Sequence, residues 1–156
     1  MNRIYRLIFI LCAFCGIAQA QPERPKLVVG IVIDQMRWDY LYRYYARYGE
    51  GGFKRMLGEG FSVENCQIPY IPSVTAIGHS CVWTGSVPSI HGIAGNAFVK
   101  DGKIVNCVGD NTVKPVGSDG KAGYMSPRNL WVTTIGDELR LATNNRSKVV
   151  GVALKD

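Results

Sequence analysis

Two continuous apolar runs lie near opposite ends of the chain, and both are rich in β-branched residues. The first is KLVVGIVI at residues 26–33, followed by Asp34; the second is KVVGVAL at residues 148–154, followed by Lys155. Runs without polar alternation are typical of strands that are buried on both faces of a parallel sheet. We therefore predict a buried strand in each run, with a polar side chain at its carboxyl end.

Between the two runs, apolar residues recur at helical spacing, and glycine or proline separates the segments. This pattern predicts helices at residues 38–48, 53–57, 75–83 and 135–142, with a further helix start at 126–127. It also predicts a short strand at residues 61–66 and a hairpin at 97–108 that turns at Asp101-Gly102. Strands that alternate with helices indicate an α/β layered domain with a mainly parallel central sheet.

The order of these elements also bears on domain organisation. The second apolar run is the last predicted element before Asp156. A parallel strand normally needs a crossover connection after it to cover its face. We therefore expect residues 21–156 to form only the N-terminal portion of a truncated domain.

The first twenty residues have the order of a secretory signal peptide. Arg3 and Arg6 form a basic start, residues 7–17 are apolar, and Ala18-Gln19-Ala20 has the small residues of a cleavage site. The apolar stretch is shorter than the roughly 18 residues that a membrane-spanning helix needs. We expect a periplasmic or secreted protein that begins at about Gln21 and has no stable membrane association. A lipoprotein and an uncleaved anchor remain the alternatives.

Charge and cysteine content narrow the function classes. The formal net charge is +6, and it falls by two if Arg3 and Arg6 leave with the signal peptide. Lys and Arg do not cluster into runs, so the sequence does not support nucleic-acid binding. The three remaining cysteines, Cys66, Cys81 and Cys107, match no zinc-ribbon spacing and are predicted to be small apolar thiols in the core. Their pairing and the oligomeric state stay open.

Candidate chemistry lies at the predicted strand ends, where open α/β sheets gather their reacting groups. This rule selects Asp34, the segment at Thr75, and Lys155. Asp34 offers oxygen ligands to a cation, although an aspartate after a strand also serves as a turn residue or a helix cap. Thr75 lies at the amino end of a predicted helix, where N–H groups and the helix dipole favour an anion such as a phosphoryl group. A role as an N-cap is the alternative for Thr75.

Asn96 closes a glycine-rich turn, and its amide is suited either to the turn itself or to donating a hydrogen bond to a developing oxyanion. A lone lysine such as Lys155 is usually a solvated surface residue. The residues alone therefore leave both side chains with a structural and a functional interpretation.

Three ordered motifs carry a resemblance to a known family. They are VGIVIDQMR at residues 29–37, IPSVTAIGH at 71–79 and HGIAGN at 91–96. Together they resemble the alkaline phosphatase superfamily, in the branch that includes nucleotide pyrophosphatase/phosphodiesterases, and within it the PafA-type periplasmic alkaline phosphatases of Bacteroidota. The resemblance extends over essentially all of the chain after residue 20.

The resemblance implies a role for four residues. Asp34 is similar to a zinc ligand, and Thr75 to a nucleophile that coordinates the same zinc. Asn96 is similar to an asparagine that binds a phosphoryl oxygen, and Lys155 to the lysine of a Lys-Asp-Arg motif in the monoesterases. These roles imply two zinc ions (Zn2+), small phosphate-ester substrates, and hydrolysis of phosphate monoesters through a phosphothreonine.

Similar enzymes take their other zinc ligands, three histidines and further aspartates, from sequence beyond the point that this chain reaches. His79 and His91 are therefore not assigned as ligands, and we expect the chain alone to be inactive, because each zinc ion needs about four ligands. A phosphodiesterase with the same nucleophile and a non-catalytic remnant domain remain the alternatives. The Cys/Ser-x-Pro-x-Arg motif of sulfatases is absent around Thr75.

Overall fold

A computed structural model describes residues 25–120 and 122–155 of the chain. The predicted signal peptide lies outside the described residues. The chain divides into two units, Met1–Ile31 and Val32–Asp156. The described part of the first unit, residues 25–31, has no regular secondary structure, and all the elements below belong to the second unit.

Short helices make up most of the second unit. Helix α1 spans Tyr40–Arg43 and is followed by a 3-10 turn at Tyr45–Arg47, and α2 spans Phe53–Glu59. Helix α3 spans Thr75–Thr84, α4 spans Pro88–His91, a 3-10 turn follows at Pro127–Asn129, and α5 spans Ile135–Ala142. The predicted helices beginning at residues 75 and 135 are confirmed. The predicted helix at 38–48 is broken into two short pieces.

The sheet is a two-stranded antiparallel hairpin. Strand β1 spans Ala97–Lys100, β2 spans Lys103–Asn106, and Lys100 pairs with Lys103 across the turn. Asp101 and Gly102 have φ angles of 51° and 73°. A two-residue turn with positive φ at both positions matches the twist of the strands and favours Asp-Gly. The predicted hairpin is therefore confirmed, with shorter strands than the pattern indicated.

The strands predicted at residues 26–33, 61–66 and 148–154 are not formed in this structure. Within residues 25–120 and 122–155 the hairpin is the only sheet, so no parallel pair is present. Val29, Phe61 and Val152 are 69%, 93% and 96% exposed. A strand needs a neighbour to satisfy its N–H and C=O groups, and these segments pair with none among the described residues. The observed fold is mixed α/β with a small antiparallel sheet.

A small core lies around α3, α4 and the hairpin. Its buried apolar side chains are Ile77, Ile93 and Cys107, and the side chain of His91 is completely buried. Cys66 is exposed and Cys81 is half-buried, so the prediction of a buried thiol is confirmed for Cys107 and wrong for Cys66.

A buried carboxylate holds the loop after the hairpin. Asp110 accepts hydrogen bonds from the Thr112 and Ser126 hydroxyls and from the Arg128 guanidinium. These bonds, that of Ser126 foremost, hold the pKa of Asp110 well below its usual range. Asn129 completes the attachment because its Nδ2 donates to the Cys107 carbonyl. Charge-assisted bonds, which are the stronger kind, therefore hold the two ends of the loop from residue 109 to 126 together, and the neutral Asn129–Cys107 bond attaches them next to β2.

Candidate active site

Thr75 is the first residue of α3, and its hydroxyl points out of the helix. The residue before it, Val74, is the N-cap, has an extended backbone and supplies no side-chain hydrogen bond. The Thr75 Oγ1 instead donates to Asp34 Oδ2 at 3.2 Å. Thr75 is therefore not the capping residue of its helix, and its hydroxyl meets the carboxylate that the sequence also selected.

Asn96 caps α3 from outside the helix. Its Oδ1 accepts the Ala76 N–H at 2.9 Å, which satisfies one of the N–H groups that have no partner within a helix. Because a backbone N–H can only donate, the atom facing Ala76 must be the amide oxygen. The Nδ2 group lies on the other branch and donates to no described atom. Asn96 therefore brings a free N–H donor to the amino end of α3, beside Thr75.

The chain makes a tight turn directly after Asp34. Gln35 has a φ of 58°, in the left-handed region that residues other than glycine rarely adopt. Such backbone conformations cost of order 1–3 kcal/mol and cluster at functional sites, where surrounding structure enforces them. The turn ends the apolar run at residues 26–33 and places the Asp34 carboxylate beside α3. Asp34 and Asn96 are exposed and Thr75 is half-buried, so the site is open to solvent.

The Asp34 and Thr75 oxygens suit one shared cation. Two oxygens that are each about 2.0 Å from a tetrahedral zinc ion are about 3.3 Å apart, which agrees with the 3.2 Å between Asp34 Oδ2 and Thr75 Oγ1. Two ligands do not complete a site that needs about four. In the part of the chain that the structure describes, no group of three or more His, Cys, Asp or Glu residues is arranged to hold a metal.

Lys155 is not joined to these three residues. It is exposed, lies in a segment without regular secondary structure, and makes no hydrogen bond or ion pair within residues 25–120 and 122–155. Sequence reasoning thus selected four residues, of which the structure brings Asp34, Thr75 and Asn96 together.

The side chains of the two histidines, His79 and His91, make hydrogen bonds that involve none of the Asp34, Thr75 and Asn96 side chains. His79 Nδ1 lies 2.9 Å from the carbonyl oxygen of Thr75, one turn earlier in α3. His91 is fully buried, and burial lowers its pKa because the charged imidazolium loses its hydration. Its Nε2 lies 3.3 Å from the Cys81 Sγ. Sequence reasoning missed this contact, since residues ten positions apart show no helical or strand periodicity that would pair them.

Comparison with known proteins identifies relatives over most of the chain. The family model described as "Type I phosphodiesterase / nucleotide pyrophosphatase" matches residues 28–152. Alkaline phosphatase PafA of Elizabethkingia meningoseptica is 65% identical over 136 residues, which cover 85% of this chain and 25% of that protein. A Myroides odoratus protein named "Calcium-transporting ATPase" is 56% identical over 161 residues, covering 100% of this chain and 29% of that protein.

The fold also matches a solved structure. The crystal structure of wild-type PafA superposes with a TM-score of 0.83 at 65% identity, over 85% of this chain and 26% of that chain. A PafA variant with changes at a threonine, an asparagine, a lysine and an arginine matches equally well. The resemblance seen in the motifs is confirmed, and the chain spans about a quarter of the length of these relatives.

Proposed function

Because this chain belongs to the type I phosphodiesterase / nucleotide pyrophosphatase family, we propose that it is the nucleophile-bearing part of a phosphate-ester hydrolase. Its substrates are small phosphate monoesters, and the reaction passes through a covalent phosphothreonine at Thr75. The observation that carries the proposal is the meeting of Thr75, Asp34 and the Asn96 amide at the amino end of α3.

The chemistry assigns one task to each of these residues. The Thr75 Oγ1 attacks phosphorus, a new Oγ1–P bond forms, and the ester P–O bond breaks with release of the alcohol. Water then cleaves the Oγ1–P bond, which returns the threonine hydroxyl and releases inorganic phosphate. The free N–H group of Asn96 donates to a phosphoryl oxygen, and the first N–H groups of α3 add favourable dipoles for the anion.

A threonine hydroxyl is a weak nucleophile at its own pKa. Asp34 and Thr75 would together hold one zinc ion, as their oxygen separation permits. When bound, zinc acts as a Lewis acid that lowers the pKa of a bound hydroxyl and offsets charge on phosphoryl oxygens. We propose two zinc ions in the complete protein, with the further ligands outside the residues described for this chain.

Monoester specificity rests on Lys155. A phosphate monoester carries one more charged oxygen than a diester, and a lysine ammonium favours that charge. The PafA variant supports the choice of Thr75 and Asn96. The threonine and asparagine changed in it have the same separation in sequence as these two residues.

The second candidate is a phosphodiesterase or nucleotide pyrophosphatase, which the description of the matching family favours. It would use the same nucleophile and metal ligands. None of the helices formed by residues 25–120 and 122–155 is long and apolar enough to cross a membrane.

Two further points belong to this proposal. The named alkaline phosphatase relatives favour a periplasmic or secreted location, in agreement with the leader at residues 1–20. The match to the solved PafA chain favours a complete domain in which residues 26–33 and 148–154 are strands of a parallel sheet. In that sheet Asp34 and Lys155 would both follow carboxyl ends of strands.

The decisive experiment replaces Thr75 in the full-length product of the gene. We expect Thr75→Ala to abolish hydrolysis of an aryl phosphate, and Thr75→Ser to retain part of it because serine keeps the hydroxyl. Thr84→Ala is the matched control, since Thr84 lies at the other end of α3 and donates only to the Ser80 carbonyl. Mass spectrometry of acid-quenched enzyme would locate the phosphoryl group. Full turnover by Thr75→Ala would overturn the nucleophile assignment.

A comparison of an aryl phosphate with a bis-aryl phosphodiester separates the two candidate functions. A higher kcat/KM for the monoester, and its loss in Lys155→Ala, would support the monoesterase. A large preference for the diester would instead establish the second candidate.

A further inference from the structure

His91 connects three segments of the chain although it contributes nothing to the proposed chemistry directly. Its Nε2 meets the Cys81 Sγ on α3 at 3.3 Å, and its Nδ1 accepts the Ile93 N–H at 3.1 Å. Its carbonyl accepts the Trp131 N–H. A side chain that is completely buried and makes these contacts has little freedom to change its orientation.

The Ile93 contact also fixes the tautomer. Since a backbone N–H donates to Nδ1, that nitrogen must carry the lone pair, and the proton of the neutral ring must be on Nε2. Nε2 then donates to the Cys81 sulfur. The ring is neutral because a second proton on Nδ1 would face the Ile93 N–H and would bury an unpaired charge.

Two contacts therefore join α3 to the segment at residues 91–96. The first is Cys81 with His91, and the second is the Ala76 N–H with the Asn96 side chain. The backbone of residues 91–96 has little freedom to move, because Ile93 is buried and the Asn96 carbonyl accepts the Cys107 N–H. A change in the position of the His91 ring would consequently displace the Asn96 side chain.

We propose that neutral His91 is a positioning residue, which holds the Asn96 amide beside Thr75 by joining Cys81 on α3 to Ile93 in the segment that leads to Asn96. The inference rests on the proposed function for its effect on turnover. Its structural part, the dependence of the Ala76–Asn96 bond on His91, is independent of that function and can be measured separately.

Two substitutions of His91 each keep one of the two ring hydrogen bonds and remove the other. His91→Asn keeps an acceptor close to the position of Nδ1 and loses the reach to Cys81, whereas His91→Gln keeps a donor close to Nε2 and loses the acceptor for Ile93. Cys81→Ala removes the sulfur, and Cys81→Ser replaces it with another acceptor. We expect His91→Asn, His91→Gln and Cys81→Ala each to lower kcat/KM about 10-fold, as losses of supporting hydrogen bonds commonly do, and Cys81→Ser to recover most of it.

The first readout does not depend on activity. The Ala76 N–H has the Asn96 oxygen as its acceptor, so its hydrogen exchange reports that bond directly. We expect its protection to fall in His91→Asn and in Cys81→Ala, and to be lost in Asn96→Ala. Tyr48→Phe is the matched control, because it removes a hydrogen bond to the Tyr40 carbonyl, which belongs to none of these contacts, and should leave the Ala76 protection unchanged.

The second readout is a double-mutant cycle on the full-length product of the gene. If His91 acts through Asn96, adding His91→Asn to Asn96→Ala will cause little further loss in kcat/KM or in the inhibition constant for inorganic phosphate. Additive losses, or unchanged Ala76 protection in both His91→Asn and Cys81→Ala, would overturn the proposal. A wild-type protein without esterase activity would overturn the proposed function and leave the exchange measurement as the test of positioning.

Discussion

The two polar atoms of the Asn96 amide have different tasks. The oxygen stabilises the fold, and the nitrogen is available to donate to a ligand. The oxygen caps α3 at Ala76, and the N–H group beside it is unused within the described residues. In the proposed function, this asparagine would stabilise helix α3 with its oxygen and negative charge on a substrate with its N–H group. Other capping residues, such as serine or aspartate, supply the acceptor without an equivalent N–H donor.

Asn96→Asp should separate these two tasks. The carboxylate still accepts the Ala76 N–H, so the melting temperature should remain close to that of the wild type. It donates no hydrogen bond and adds a negative charge near the phosphoryl site, so kcat/KM should fall by about 100-fold or more. Asn96→Ala, which loses both tasks, should also lose about 1 kcal/mol of unfolding free energy. Equal melting temperatures for the alanine and wild-type proteins would contradict the capping role.

Tyr70 gives a test in alkaline solution. A hydrogen bond with the Cys81 thiol, together with burial, raises the pKa of Tyr70 from 10.0 to about 12. The folded protein therefore keeps a proton that the unfolded chain loses, and the resulting stability is present below about pH 10 and is lost as the pH rises towards about 12. We expect Tyr70→Phe to lose less unfolding free energy than the wild type over this range. Tyr44→Phe, which removes a hydroxyl without a hydrogen-bond partner among the described residues, serves as the control in urea titrations. Parallel losses in all three proteins would refute this expectation.

At the scale of elements, the sequence predicted the helices and turns that are determined by capping residues and turn residues close in sequence. Helix α5 begins and ends where the pattern placed it, and the structure adds the reason. Thr134 and Asp137 form a capping box, in which each side chain bonds the backbone N–H of the other residue. The hairpin was equally predictable from Asp101-Gly102, whose positive φ angles suit the turn. The extended segments were not predictable in this way, because a strand depends on a neighbour that its own sequence does not contain.

Gly92 ends α4, and a side chain at this position would meet both backbone strain and a steric clash. Its φ is 83°, and an added Cβ would lie 2.6 Å from the Trp131 ring. Gly92→Ala should therefore cost about 1–3 kcal/mol of unfolding free energy, from backbone strain and the displaced indole.

Gly58→Ala is the contrasting variant. Gly58 lies inside α2, and nothing lies within 4 Å of its added Cβ. Since alanine is the better helix former, this change should stabilise the protein by about 0.5–1 kcal/mol. Urea unfolding of both variants measures the two changes in unfolding free energy. A Gly92→Ala protein as stable as the wild type would show that the Trp131 ring can move aside without loss of stability.

At the scale of the whole molecule, much apolar surface in the described structure is exposed. Val150, Val152 and Leu154 are at least 85% exposed, and the residues before Asp34 are exposed as well. Such β-branched runs are typical of strands inside a sheet.

The candidate site was more predictable than this sheet. Asp34, Thr75 and Asn96 meet through turns and a helix start within the chain, whereas Lys155 follows a segment that pairs with no described strand.

Hydrogen exchange can test the proposed sheet. In a longer protein that contains this chain, we expect the amides at residues 28–33 and 149–154 to be strongly protected, and in the 156-residue chain to exchange freely. Helix α5 is the internal reference, because its own hydrogen bonds should slow exchange in both proteins. Identical exchange at residues 28–33 and 149–154 in the two proteins would rule out a sheet that depends on additional sequence.

The external cap on α3 also sets an order of events while the chain is being made. Ala76 leaves the ribosome 20 residues before Asn96, so the nucleophile helix emerges with its first turn unsupported. The bond between the Ala76 N–H and the Asn96 side chain cannot form until the HGIAGN segment has also left the ribosome. A nascent chain that stalls before residue 96 would therefore carry Thr75 on a helix whose first turn lacks its external cap.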